Sequence, residues 1–122
     1  MSLDKSYLDQ FIKVTEFAAY GASAFIGKED KNAADQGAVD KMRDQLNKID
    51  MIGNVVIGEG EMDEAPMLYI GEKIGTKKGQ EIDIAIDPLE GTNFTAKNLP
   101  GAFSVLVAAE KGNLLSAPDT YM

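Results

Sequence analysis

The stretch EIDIAIDPLEGTNF, Glu81 to Phe94, restricts the fold of this chain more than any other segment. Ile82, Ile84 and Ile86 alternate with Asp83, Ala85 and Asp87, the period of two that sends successive side chains to opposite faces of a strand. Pro88 keeps Asp87 extended, and Glu90 comes back after a turn, just before Gly91 and Thr92. A strand that only had to stop could do so with Gly, Pro or Asn, so the acids and the threonine require a separate reason. Gly91 and Thr92 stand where backbone N–H groups at a helix start can point at a phosphate. The same residues also fit a plain strand-turn-helix connection with an incidental acid at each end.

Around this strand the hydrophobic spacing sets out the remaining elements. Leu8, Phe11, Ile12, Ala18, Ala19, Ala22, Phe25 and Ile26 recur at three-four spacing and predict a helix with one face on a core, stopping at Gly27. A second helix is expected from near Asp35 to about Ile49, burying Val39, Met42, Leu46 and Ile49. NVVIG, Asn54 to Gly58, reads as a short buried strand, and the acidic loop EGEMDEAP follows it. MLYIGEKIG suits either a helical turn or a strand, and Pro66 favours the helix. A short helix is expected close to Thr92. AFSVLVAAE predicts a further buried strand, which a KGN turn joins to a brief LLSA partner.

Helices followed by strands imply a layered α/β domain, an α+β sandwich in which residues 1–122 form one unit. Few strands are left to cover the sheet when the chain stops at APDTYM, so a truncated chain or a homo-oligomer is expected.

Composition removes several chemistries. With no histidine and no cysteine, the chain cannot build a serine-histidine triad, an imidazole base, a thiolate nucleophile or a disulfide. Carboxylates, hydroxyls, amines and bound ions remain. A net charge of −8, with Arg43 as the single arginine, argues against a nucleic-acid or anionic-membrane surface. No apolar run is long enough to span a bilayer, and residues 1–20 carry acids and polar groups throughout, so a cytoplasmic location is expected.

Acids cluster at three element ends: Asp35 at a helix start, Glu59 and Glu61 past one strand, Asp87 and Glu90 past another. Ligands in layered α/β folds collect where strands end, so the three loops could converge. Crowded carboxylates repel and raise one another's pKa, and a bound cation would relieve them. An all-oxygen set without histidine or cysteine suits Mg²⁺ or Mn²⁺. Each acid also has a simpler reading. Asp35 fits a helix N-cap, and EGEMDE fits an exposed acidic loop. GEKIGTKKG lacks the Walker spacing, and GEGEMD lacks the third glycine of the dinucleotide fingerprint.

In DKNAAD, VIGEGEMDEAPMLYIGEKIGT, DIAIDPLEGT and the closing APDTYM, in that order, the chain resembles the class II fructose-1,6-bisphosphatases, some of which also act on sedoheptulose 1,7-bisphosphate. The likeness runs from the first helix onward. Its long middle motif is specific, whereas DPLEGT alone indicates only the wider lithium-sensitive phosphatase superfamily. By this resemblance Asp35 and Glu59 correspond to ligands of one metal, and Asp87 and Glu90 to ligands of a second. Glu90, Gly91, Thr92 and Tyr121 correspond to substrate contacts.

The fold it implies is the N-terminal part of an αβαβα sandwich in a much longer protein, whose later segments should add another carboxylate ligand and most sugar-phosphate contacts. The reaction it implies is metal-assisted hydrolysis of the 1-phosphate of a sugar bisphosphate, a gluconeogenic step. Thr92 would orient the attacking water, and Asp35, or else Glu59, would accept its proton. Two other roles use the same residues: a non-catalytic cation-binding or phosphate-binding fragment, and, if the acidic loops lie far apart, a structural part.

Overall fold

A computed structural model describes residues 3–59 and 67–115. Two helices, α1 (Ser6–Ser23) and α2 (Lys31–Leu46), precede a four-stranded sheet formed by β1 (Met51–Ile57), β2 (Lys73–Ile74), β3 (Gln80–Glu90) and β4 (Phe103–Glu110). A five-residue helix, α3 (Thr92–Ala96), follows β3 directly. The spatial order is β2-β1-β3-β4. The central pair β1 and β3 runs parallel, with Val55 opposite Ile84, while β2 and β4 flank it antiparallel. Among the described residues no helix is long and apolar enough to cross a membrane.

The α1 face on the core is Tyr7, Phe11, Val14, Ala18 and Ala22. Leu8, Ile12 and Ile26, expected inside, are 64%, 45% and 47% exposed. Burying a tyrosine in their place has a physical reason. The Tyr7 ring stacks on Phe11 with centroids 5.7 Å apart, and its hydroxyl donates to the Asp50 carbonyl at 2.6 Å. Burial therefore leaves no polar atom unmet.

Helix α2 starts at Lys31, earlier than its apolar spacing suggests. Asp30 is the cap, its Oδ1 accepting from the Ala33 N–H at 3.0 Å. Asp35 therefore lies inside the helix and is not its cap. Val39, Met42 and Leu46 are buried as expected, and Ile49 is buried just beyond the helix end. Helices α1 and α2 approach through Gly21 and Gly37, where a Cβ on Gly21 would lie 2.2 Å from the Gly37 carbonyl oxygen.

Residues 67–75 do not form the helical turn that Pro66 favoured; Pro66 itself lies outside the described residues. The segment instead supplies β2, with Gly53 opposite Ile74 and Asn54 opposite Lys73. Ile82, Ile84 and Ile86 enter the core as their alternation requires. Asp83 is also buried, its carboxylate accepting from the Gly112 N–H at 2.8 Å. Strand β4 is an edge strand and not a buried one: Phe103, Val105 and Val107 are exposed, and Leu106 and Ala108 on its other side pack against the core. Leu114 and Leu115 lie outside any strand, and the rest of the LLSA segment lies outside the described residues.

Replacing Gly21 with alanine sets two effects against each other. Helix propensity alone would stabilise the chain by about 1 kcal/mol. Overpacking against the Gly37 backbone costs about 1–3 kcal/mol, since backbone cannot swing aside as a side-chain tip can. We expect Gly21→Ala to lower the urea unfolding midpoint; an increase would show that the helices separate freely.

Candidate functional site

Parallel pairing brings the C-terminal ends of β1 and β3 to the same edge of the sheet, where their side chains can meet. Glu59 lies two residues past the end of β1, and Glu90 is the last residue of β3. Between Asp87 and Glu90 the pairing of β3 with β4 shifts register. Pro88 has no N–H to give the ladder, and the Leu89 N–H turns to the Asp87 side chain at 3.2 Å. This irregularity bends the strand end and lets both acids serve one space.

Gly91 then reverses the chain with φ +86° and ψ 47°, a left-handed conformation that L side chains rarely adopt. A Cβ there would also lie 3.0 Å from the Phe94 ring and 3.3 Å from the Ala102 Cα. The reversal places Thr92 at the first position of α3.

Asp35, Glu59, Asp87, Glu90, Gly91 and Thr92 all line one cleft of about 370 Å³. The three acidic loops converge, and the reading that required them to lie far apart is excluded. Tyr121 and Glu61 lie outside the described residues. Lys31 and Asn32, which sequence reasoning left in a loop, also line the cleft. Asp30 as a capping residue was the available signal, because it moves the start of α2 back to Lys31. Arg43 is not among the lining residues; its fork is engaged with Glu72.

The acids come as two pairs. Asp35 lies beside Glu59, and Asp87 beside Glu90. Burial raises the Asp35 pKa, and the contact with Glu59 pulls it partly back. Burial also drives Asp87 up to about 7, helped by its hydrogen bond to Glu90 and by the charges of Glu90 and Asp35. These causes favour the protonated form of Asp87. Among the described residues no group of three or more acids is arranged to hold a metal ion.

The two pairs nonetheless suit hard divalent cations on the chemistry of the donors. They are all oxygen and partly buried, and the raised pKa of Asp35 and of Asp87 marks negative charge that a dication could offset. Asp35 and Glu59 could hold one ion, and Asp87 and Glu90 another.

Helices on a mixed sheet, with acids gathered at its parallel strand ends, have the character of an N-terminal part of a phosphatase fold. The chain belongs to the family of bacterial fructose-1,6-bisphosphatases, glpX-encoded, whose model matches residues 5–122. It is 53% identical over 113 residues to fructose-1,6-bisphosphatase 1 class 2 of Escherichia coli K12, covering 93% of this chain and 34% of that protein. The D-fructose 1,6-bisphosphatase class 2/sedoheptulose 1,7-bisphosphatase of Thermosynechococcus vestitus is 51% identical over 125 residues, covering 93% of this chain and 36% of that protein. The fructose-1,6-bisphosphatase class 2 of Haemophilus influenzae is 50% identical over 120 residues, with 98% and 36% covered. The chain thus spans about a third of the length of the curated relatives it matches.

The burial of Asp87, with Glu90 and Asp35 close by, dictates a pH dependence for the metal-free chain. Its folded pKa of about 7 lies above the ordinary aspartate value of 3.8 that the unfolded chain would show. Between those values the folded state holds a proton that the unfolded state has released, so stability falls as pH rises through this window and levels off above about 7. Asp87 is half-exposed, and screening reduces the ideal slope of about 1.4 kcal/mol per pH unit to an expected total of about 1 kcal/mol. Urea unfolding of the chain at pH 5 and pH 8 should show the loss, and Asp87→Asn should flatten it. A parent chain equally stable at both values contradicts the crowding.

Proposed function

We propose that this chain is the N-terminal part of a metal-dependent phosphomonoesterase that removes the 1-phosphate of fructose 1,6-bisphosphate, a hydrolase step of gluconeogenesis in the cytoplasm. Sedoheptulose 1,7-bisphosphate offers the same ester and is a second substrate under this reading. The observation that carries it is the convergence of Asp35, Glu59, Asp87 and Glu90 on one cleft beside Gly91 and Thr92. The names of the E. coli and T. vestitus relatives supply the substrate class.

Mg²⁺ or Mn²⁺, when bound, would supply Lewis acidity at the phosphoryl group and lower the pKa of water. Asp35 with Glu59 and Asp87 with Glu90 would be the protein ligands. Thr92 orients the attacking water through its hydroxyl, and Asp35 takes the proton from it, with Glu59 as the other base within the cleft. Backbone N–H groups of Gly91 and Thr92 face the phosphoryl oxygens as negative charge builds on them. Glu90 and Tyr121 contact the sugar bisphosphate. With Arg43 engaged with Glu72, Lys31, which lines the cleft, is available to a substrate phosphate.

Two measurements test this reading. Mn²⁺ should raise the melting temperature of the chain more at pH 8 than at pH 5, because the ion competes with the proton held by Asp87. An equal shift at both values would detach the ion from that carboxylate. In a full-length protein carrying this chain, Asp87→Asn should reduce metal-dependent phosphate release from fructose 1,6-bisphosphate by about 100-fold or more while leaving the fold intact. Undiminished release rejects the site. Mn²⁺ binding without turnover in the full-length protein favours the binding-only role.

A further inference from the structure

Arg43, the single arginine, turns its fork to Glu72 and not into the acidic cleft. Its Nε donates to Glu72 Oε2 at 2.8 Å and its Nη2 to Glu72 Oε1 at 3.0 Å, a bidentate pair. The same Nη2 reaches the Met67 carbonyl at 2.6 Å. Glu72 is 8% exposed, and its Oε1 also accepts from the Tyr69 N–H at 3.4 Å. The guanidinium therefore grips the turn 67–72 at both ends, from the last turn of α2.

That turn is also the bed on which the end of β1 lies. Val55 N–H donates to the Glu72 carbonyl at 3.0 Å, and Gly71 N–H to the Val55 carbonyl at 2.8 Å. Glu59 N–H donates to the Leu68 carbonyl at 2.8 Å, with the Leu68 side chain fully buried beneath. Gly58 lets the two backbones meet, since a Cβ there would lie 2.4 Å from the Leu68 oxygen. Asp35 is on α2 and Glu59 lies two residues past β1, so the arginine ties α2 to the turn against which the Glu59 backbone is bonded, and both carboxylates line the same cleft.

We propose that Arg43 and Glu72 are positioning residues that hold Glu59 against Asp35, and so shape the first of the two ion sites. The proposal rests on the ion-binding reading of those two carboxylates. A point charge at residue 43 would still attract Glu72, but it could not bridge both carboxylate oxygens and the Met67 carbonyl at once. Charge alone is therefore insufficient, and the fork is required.

Arg43→Lys tests this directly in the chain. Hydrogen exchange should show the Glu59 amide losing about 10-fold in protection while the Ile84 amide in β3 keeps its own. Calorimetric titration with Mn²⁺ should show about 10-fold weaker affinity. If the lysine variant fails to fold, the double variant Arg43→Met with Glu72→Met removes the pair without stranding a buried charge, and the same two changes are expected in it. Parent-like Glu59 protection in a folded variant overturns the proposal. So does parent-like Mn²⁺ affinity in a variant whose Glu59 amide is exposed. A parent chain that binds no Mn²⁺ overturns the ion-binding reading itself and the proposal with it, an outcome separable from the other two by the parent titration alone.

Discussion

Repulsion among carboxylates in one half-dry cleft is the constraint around which this structure is arranged. Left free, Asp35, Glu59, Asp87 and Glu90 would separate into solvent, where each charge is fully hydrated. They stay together because each is attached to backbone that has other reasons to be where it is. Asp35 is flanked in α2 by Ala34 and Ala38, both fully buried against the core. Asp87 follows Ile86 and precedes Pro88 and Leu89, all buried. The core acts as a fixture that keeps like charges together, and a proton or a dication then relieves what the fixture imposes. Stability and site chemistry are therefore not separable here: whatever neutralises the cleft also favours the folded state.

Local pattern was enough to read the parts of this arrangement that depend on neighbouring residues. The alternation Ile82, Ile84, Ile86 defines β3 and its core face, and Pro88 with Gly91 defines the turn that gathers Asp87, Glu90 and Thr92. The motifs that suggested class II fructose-1,6-bisphosphatases agree with the family the chain matches. What local pattern misread depends on distant partners. Tyr7 is inside because the Asp50 carbonyl, 43 positions away, accepts from its hydroxyl, and no periodicity rule credits a polar aromatic with that contact. Lys73 and Ile74 pair with β1, and Glu72 just before them meets Arg43 across 29 positions. A proline just upstream says nothing of that partner.

β4 illustrates a different limit. Phe103, Val105 and Val107 have the composition of an interior strand, yet the strand is the last in the sheet order and those side chains face outward. Residue type specifies what a position would bury if a neighbour were available. It does not specify that the neighbour belongs to these residues. The chain spans about a third of its relatives, so composition judged on this length alone refers to a larger surface than the described residues cover.

The charge of the chain raises a question that the cleft answers. A chain of net charge −8 is poorly suited to attract a sugar bisphosphate, and its one arginine is engaged with Glu72. Basic side chains could have been recruited instead, yet among the described residues the cleft is lined by four acids and by a single lysine, Lys31. Under the proposed function the acids are the means of attraction, because two dications bound to them reverse the local sign and present positive charge where phosphate arrives. A lysine in each of those places would bind phosphate about equally before and during reaction, whereas an ion can also act on water and leaving oxygen as charge develops. Under that reading the acidic character of the chain is part of its chemistry, and the proposed part of Arg43 in it runs through the backbone that carries Glu59.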